Sequence, residues 1–460
     1  MTVGRFTRAS YRFDKTVRTI RVGNGCGFWG DSLDAPVRLV ERGQLDYLTL
    51  EYLAELTLSI MAHQRRCDPA AGYATDFIEV LGSLTHHLRR QSQLRVVTNA
   101  GGMNPASCAA AARNVLNEAR LENARIATVS GDDLVGRLHP LIQAGHHFAH
   151  LDTGQPLESV LDRVVSANAY LGAGPIVEAL ARGARVVITG RVADASLTVA
   201  PALHEFGWSP DDWTRIAGAA VAGHLIECGA QATGGLYCDW FDVPDYPNIG
   251  YPIAVIAEDG SFEITKPRGT GGVVNRETVT EQLLYEIGDP TDYVTPDVRV
   301  DFTSLKLDAG REGGVRVTGA CGRAAPDSYK VSIAYRDGYM ASGMLVVTGR
   351  DAREKAEACG RIILDRVASA ATRPGRSNIE VIGSNTGPDR SVVLRITVHD
   401  VTRSVVDRFC RELAPPVTSG PPGITGYTGG RPKPREVLAY WPALVSRDVV
   451  KPVVCVEGDS

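Results

Sequence analysis

A chain of 460 residues is too long for one ordinary hydrophobic core, so two domains, or three, are expected. Its 44% hydrophobic and 22% charged residues suit a globular protein, and a net charge of −4 supplies no basic field to recruit nucleic acid. No run of about eighteen apolar residues is present to span a membrane. The nine cysteines are scattered without a C-x-x-C pair, which predicts reduced thiols in a cytoplasm rather than a disulfide framework.

Met1 to Lys15 is polar and arginine-rich and lacks the apolar centre of a signal peptide, so a frayed end is expected. Arg5, Arg8 and Arg12 leave a transit peptide as the alternative, against which Asp14 and the short length argue. Val17 to Val22 predicts a first strand, followed by the glycine-rich turn Gly23 to Asp31 and a helix from Ser32 to Arg42. That arrangement resembles a phosphate-cradling loop, because amides at a helix amino end attract anions. The G-x-G-x-x-G spacing is absent, so a turn lining another kind of pocket is the expectation. Leu45 to Glu51 predicts the second strand, Leu53 to Arg66 an amphipathic helix, and Leu94 to Thr98 the third strand. Asn104 is placed to cap, and Pro105 to open, a helix reaching Arg120. Ile126 to Ser130 is the fourth strand, and a helix from Ile176 to Arg182 leads into Val186 to Thr189, which has the pattern of a strand buried on both faces. Gly190 then turns the chain, Arg191 and Asp194 follow, and a helix runs from Ser196 to Phe206. The repeated strand–helix pattern predicts an α/β fold with a mostly parallel, three-layer sheet in the amino-terminal half.

A further helix, Trp213 to Cys228, precedes a change of texture after Gly235. Aromatic and proline residues from Tyr237 to Tyr251 give way to hairpin-spaced strands at Ile253 to Ala257 and Phe262 to Thr265. Val315 to Gly319, Tyr329 to Tyr335, Met344 to Thr348 and Val392 to Val398 continue the strands, with helices at Glu277 to Ile287 and Ala352 to Ala370. A boundary is therefore expected near residue 240, with a Rossmann-like α/β domain over 16–240 and an α+β domain of mixed or antiparallel strands over 241–456. The turn-rich stretch Thr418 to Pro432 predicts a fixed loop.

Signatures of serine hydrolases, zincins and P-loop kinases are absent. Asp31, Glu51, Asn99, Asn104, Asp132, Arg191 and Asp194 all follow strands, where side chains converge on one crevice in an open α/β sheet. The competing reading of each is a solvated or capping residue. His224 and Glu227 are three apart on one helical face, which suits an acid/base pair or two metal ligands, with a surface contact as the plainer alternative. Cys228 and Cys238 read as small buried hydrophobes. Lys266, Thr270 and Gly271 belong to a cationic glycine loop that suits a carboxylate, a phosphate or a coenzyme A tail; a solvated turn competes.

The stretches GNGCGFWGD (Gly23 to Asp31), NAGGMNP (Asn99 to Pro105), ITGRVADA (Ile188 to Ala195) and HLIECGAQATGG (His224 to Gly235) resemble the acyclic terpene utilisation protein A (AtuA) family. So do Pro247 to Gly272, QLLYEIGDP (Gln282 to Pro290) and YTGGRP (Tyr427 to Pro432), and the resemblance covers residues 16–456. It implies a role among proteins that degrade terpenoid or branched carboxylic acids through coenzyme A thioesters, without fixing a reaction. It also implies a small ferredoxin-like domain that many relatives carry or borrow from a partner protein, and that this chain lacks. Cys26 and Trp29 depart from the small or apolar residues expected in the first stretch.

The expectation is an enzyme acting on a carboxylic acid or its acyl-coenzyme A thioester, as a lyase of the hydratase/dehydratase kind or a double-bond isomerase. Asp194 or Glu227 would be the base, His224 an acid or orienter, and Arg191 and Lys266 the clamp. Asp31, Asn99, Asn104, Asp132, Thr270 and Gly271 would contact substrate. The alternative is a non-catalytic acyl-coenzyme A-binding subunit working with a small ferredoxin-like partner. A third arrangement has Asp194, His224 and Glu227 holding a divalent metal. No other cofactor is implied, and homo-oligomerisation is the default for a metabolic protein.

Overall fold

The computed structural model describes residues 17–370, 372–383, 391–426 and 429–458. Met1 to Lys15, and Tyr427 and Thr428 of YTGGRP, lie outside the described residues. The fold is mixed α/β. Its main sheet has ten strands in the order Lys306–Ala309, Val315–Thr318, Phe262–Thr265, Ile253–Ala257, Thr19–Asn24, Tyr47–Leu50, Arg95–Thr98, Val186–Thr189, Ile126–Ser130 and Val453–Val456. The run from Thr19–Asn24 to Ile126–Ser130 is parallel, as expected for the amino-terminal half. Antiparallel strands extend it at both edges.

Alternate side chains along the parallel strands enter different layers, as the two-residue period requires. Leu48, Val96 and Ile188 share a core with Leu39, Leu81 and Leu116 of the helices Ala35–Gly43, Asp76–Arg90 and Pro105–Glu118. From the next position, Tyr47 donates its hydroxyl to Glu205 of the helix Ser196–Phe206 at 2.7 Å. All four residues of Tyr47–Leu50 and of Val186–Thr189 are buried, so these strands read as unbroken apolar or β-branched runs.

The division between compact units does not fall near residue 240. One unit takes in the described residues of Met1–Ser159, Val165–Ile333 and Pro442–Ser460, the other Val160–Val164 and Ala334–Trp441. The reason is pairing: Ile253–Ala257 hydrogen-bonds antiparallel to Thr19–Asn24 in register Val22↔Ala254, so the hairpin after residue 240 completes the first sheet instead of founding a second core. In the other unit, Arg376–Ile382, Ser391–Asp400, the distal part of Ser328–Thr348 and Ile424–Thr425 form antiparallel neighbours. The helices Ala352–Ala370 and Arg403–Glu412 cover them through Ala356, Cys359, Ile363, Val406 and Phe409. Tyr329 to Tyr335 and Met344 to Thr348 belong to one strand, because Asp337-Gly338 is no hairpin turn. Gly338 takes φ +84 inside the strand, where a Cβ would lie 2.6 Å from the Asp400 carbonyl oxygen.

No helix among the described residues is long and apolar enough to cross a membrane. All nine cysteines are free thiols, and Cys238 is exposed, contrary to its expected burial, because the loop carrying it lies on the surface.

Candidate active site

Within the first unit, a cavity of about 440 Å³ is lined by Arg191, Asp194, His224 and Glu227 together with Tyr170, Glu286, Tyr293, Arg299, Tyr329 and Lys330. Four residues expected to carry chemistry thus meet at one place, delivered by two elements. Arg191 and Asp194 leave the carboxyl end of the strand Val186–Thr189, and His224 and Glu227 occupy the last turn of the helix Trp213–Glu227. The Asn24 side chain, at the end of the first strand, donates to the carbonyls of Ile226 and Glu227 at 2.8 and 2.9 Å and pins that last turn to the sheet.

Behind the cavity the strand ends are tied into a polar row. The Arg191 amide donates to Asp132 at 2.9 Å, and Asn168 donates to the same carboxylate oxygen at 2.8 Å. Glycine at position 190 is required here, because a Cβ would lie 2.4 Å from Asp132 Oδ1. Burial raises the Asp132 carboxyl from 3.8 to about 6, against the Arg191 and Asn168 hydrogen bonds, which lower it. Asn99 donates to Glu51 and accepts from the Tyr52 amide at 2.8 Å. Glu51 in turn accepts from the Leu53 amide at 2.9 Å, while Arg191 Nη1 donates to the Leu53 carbonyl at 2.9 Å. The two peptide groups flanking Leu53 are therefore held, one by an acid and the other by a cation.

The Arg191 guanidinium is 3% exposed, lies 4.0 Å from the Tyr170 ring centroid and pairs through Nη2 with Asp194 at 2.9 Å. Asp194 is 33% exposed, so it reaches the cavity while its cation stays inside. Truncating the cation would leave buried carboxyls uncompensated. Arg191→Ala is expected to cost about 3–5 kcal/mol of stability, read as a lowered denaturation midpoint at unchanged m-value.

His224 is buried and Glu227 partly so, with Nδ1 and Oε1 3.2 Å apart, and His224 Nε2 lies 3.3 Å from the Leu283 carbonyl. A carbonyl oxygen only accepts, so Nε2 carries a hydrogen and donates. Burial lowers the imidazole, leaving it neutral, and Nδ1 then accepts. Glu227 is raised well above the usual carboxylate range, first by burial and then by Asp194 and Glu286, with Arg191 opposing. With the imidazole lowered and the carboxyl raised, both directions oppose an ion pair and suit a hydrogen bond between neutral partners.

Other expected contacts lie elsewhere, and none is among the described residues lining the cavity. Asp31 accepts from the Tyr251 hydroxyl at 2.5 Å and from the Gly27 and Ser32 amides at 2.9 and 2.7 Å, closing its own turn. Asn104 caps its helix at Ser107 and donates to Pro69 and Ala71. Asn99 and Asp132 support the site from behind. Lys266 donates to the Thr270 carbonyl at 2.7 Å, Thr270 donates to the Pro267 carbonyl at 2.6 Å, and Gly271 gives room for the Asp245 carbonyl. That loop folds on itself. Among the described residues no group of three or more His, Cys, Asp or Glu side chains is disposed to hold a metal ion, and the set Asp194, His224 and Glu227 is not so arranged.

Sequence reasoning assigned no role to Tyr170, Glu286, Tyr293 or Lys330. Only Glu286 left a signal, inside QLLYEIGDP. The expected helix to Ile287 stops at Leu284, and Glu286 adopts φ +61, a left-handed conformation uncommon outside glycine, at the cavity wall.

Residues 20–456 match the family model described as Acyclic terpene utilisation family protein AtuA. No curated protein and no solved structure matches the chain.

Proposed function

The chain belongs to the acyclic terpene utilisation AtuA family, and from that premise we propose an enzyme that moves a proton or water on a carboxylic acid or its acyl-coenzyme A thioester. The reaction is that of a hydratase/dehydratase or a double-bond isomerase. One observation carries the reading: a cation-paired Asp194 and a Glu227 whose carboxyl is raised by burial line the same cavity. Two carboxyls whose surroundings hold one ionised and the other protonated divide the labour of base and acid.

In the dehydration direction Asp194 takes the proton next to the carbonyl, and that C–H electron pair becomes the new double bond. The C–O bond to the leaving hydroxyl breaks as Glu227 gives it a proton, so water departs. His224 then bears against a carboxylate until solvent returns the proton. In isomerisation the same pair removes a proton at one carbon and supplies one at another. Leu151, Ile287 and Leu444 offer apolar wall for an acyl chain, and Lys330 offers a cation for its carboxylate or thioester end. The volume lies within the roughly 300–1,000 Å³ range of small-molecule sites.

The test is the full chain incubated with straight- and branched-chain 2-enoyl- and 3-hydroxyacyl-coenzyme A thioesters and the matching free acids, with conversion followed by mass spectrometry. Interconversion of an enoyl and a hydroxyacyl or isomeric enoyl species is the expected result. Thermal stabilisation without conversion, with or without a small ferredoxin-like partner, would favour a binding subunit. Neither response would end the proposal.

A further inference from the structure

The segment from Leu236 to Tyr246 turns large apolar side chains outward. Leu236 is 79% exposed and Phe241 82%, and the Trp240 and Phe241 rings stack on each other at a centroid distance of 3.7 Å. Tyr246 donates its hydroxyl to the Trp240 carbonyl at 3.3 Å, which holds the aromatic segment together. The Cys238 amide donates to Glu281 at 3.2 Å and ties the segment to the helix Arg276–Leu284. Leu284 stands three residues after Glu281, on the same side of that helix, and both it and the following Tyr285 are exposed. Single apolar side chains on a surface are ordinary, but a continuous run of them marks a docking place, and aromatic residues are enriched in protein interfaces. Leu236 supplies a second sign. Its φ is +60, a left-handed backbone that a bulky side chain enters only under strain, and no burial of that side chain offsets the strain within this chain.

Charge selects the partner. Asp239, Asp242 and Asp245 are interleaved with the aromatics, and no cation lies between Leu236 and Pro247. The adjoining helix sets Glu277 and Glu281 against a single cation, Arg276. A second copy of this chain would bring the same acids against these, and an anionic lipid surface would be repelled in the same way. We propose that this face docks a basic segment of another protein, one whose cations are interspersed with apolar side chains. The cations meet the three aspartates while the apolar side chains cover Leu236, Trp240 and Phe241. Beyond Tyr285 the chain continues to Glu286 and Ile287, which line the cavity, so the docked partner sits beside its wall.

The test uses the full chain and a short fluorescently labelled peptide of lysine and leucine, with the glutamate and leucine counterpart as control, followed by anisotropy. The lysine peptide is expected to bind, more weakly as salt is added, and the glutamate peptide to stay free. Phe241→Ser is expected to weaken binding about tenfold or more. Asp239→Asn combined with Asp242→Asn is expected to weaken binding and reduce its salt dependence. Melting temperatures should be unchanged, because these three side chains are exposed. Leu236→Gly, which accepts the left-handed backbone freely, is expected to weaken binding while melting no lower than wild type. A dimer abolished by Phe241→Ser would give the face to a second copy, and binding to phosphatidylcholine vesicles in preference to the peptide would give it to a membrane. Either result would overturn the inference. So would a lysine peptide that fails to bind, or that binds Phe241→Ser and Leu236→Gly as tightly as wild type.

Discussion

Asp194→Asn is expected to lower kcat by about 10²- to 10⁴-fold, the usual worth of a positioned base, while the protein melts within a few degrees of wild type. The isostere keeps an oxygen for Arg191 Nη2 to bond, and Arg191 retains the Leu53 carbonyl, so little buried hydrogen bonding is lost. What disappears is the charge. That charge also raises the Glu51 and Glu227 carboxyls, so removing it should let both ionise at lower pH. The variant should therefore show two linked changes: a collapse of turnover, and a pH profile whose alkaline limb moves to lower pH. Turnover within about threefold of wild type would take the base role away from Asp194. Arg191→Ala is a poorer probe of the same chemistry, because its stability cost mixes misfolding with lost catalysis.

The parallel half of the fold was legible because each strand there is short, buried and followed by its helix. Val186–Thr189, Ile126–Ser130 and Ser196–Phe206 lie where the apolar pattern puts them. The helix Asp76–Arg90 carries an equally plain stripe, Phe77, Val80, Leu81, Leu84 and Leu88, a signal that was present and went unread. The boundary near 240 failed for a different reason. The texture does change there, but it marks the switch from parallel to antiparallel pairing, and a register linking Ile253–Ala257 to Thr19–Asn24 leaves no local trace.

The site divides along the same line. Arg191, Asp194, His224 and Glu227 were legible because strand ends and helical spacing are local facts. Tyr170, Tyr293 and Lys330 reach the cavity from a loop, a two-residue strand and the start of a long one, and nothing in their neighbours' spacing announces a meeting. Lys266 shows the reverse case. A cation beside glycines predicts an anion clamp equally well whether the lysine faces a ligand or, as here, its own loop.

Glu227→Gln separates the acid from its scaffold. Glutamine can still donate to His224 Nδ1 but has no proton to release, so turnover should fall by about 10²- to 10⁴-fold with the cavity intact. In the wild type, kcat should decline on the alkaline side as pH rises through the raised value of Glu227, and that limb should be absent from the residual activity of the variant. Stability gives an independent reading of the same proton. Glu227, Glu51 and Asp132 are all raised above their ordinary values in the folded protein. The folded state therefore holds protons that the unfolded chain releases, and this stabilisation is complete below the ordinary carboxylate range and lost as pH rises through the folded values. For Asp132 the loss runs from 3.8 to about 6, and for Glu227 it begins at 4.5 and continues up to its raised value. Buried His224 has the opposite sign: its lowered value makes protonation unfold the site as pH falls. Removing Glu227 as a titrating group should thus flatten the decline of stability that otherwise sets in from 4.5 upward. A melting-temperature profile that parallels wild type throughout would mean that Glu227 is already ionised in the folded protein, and the acid would have to be sought elsewhere in the cavity.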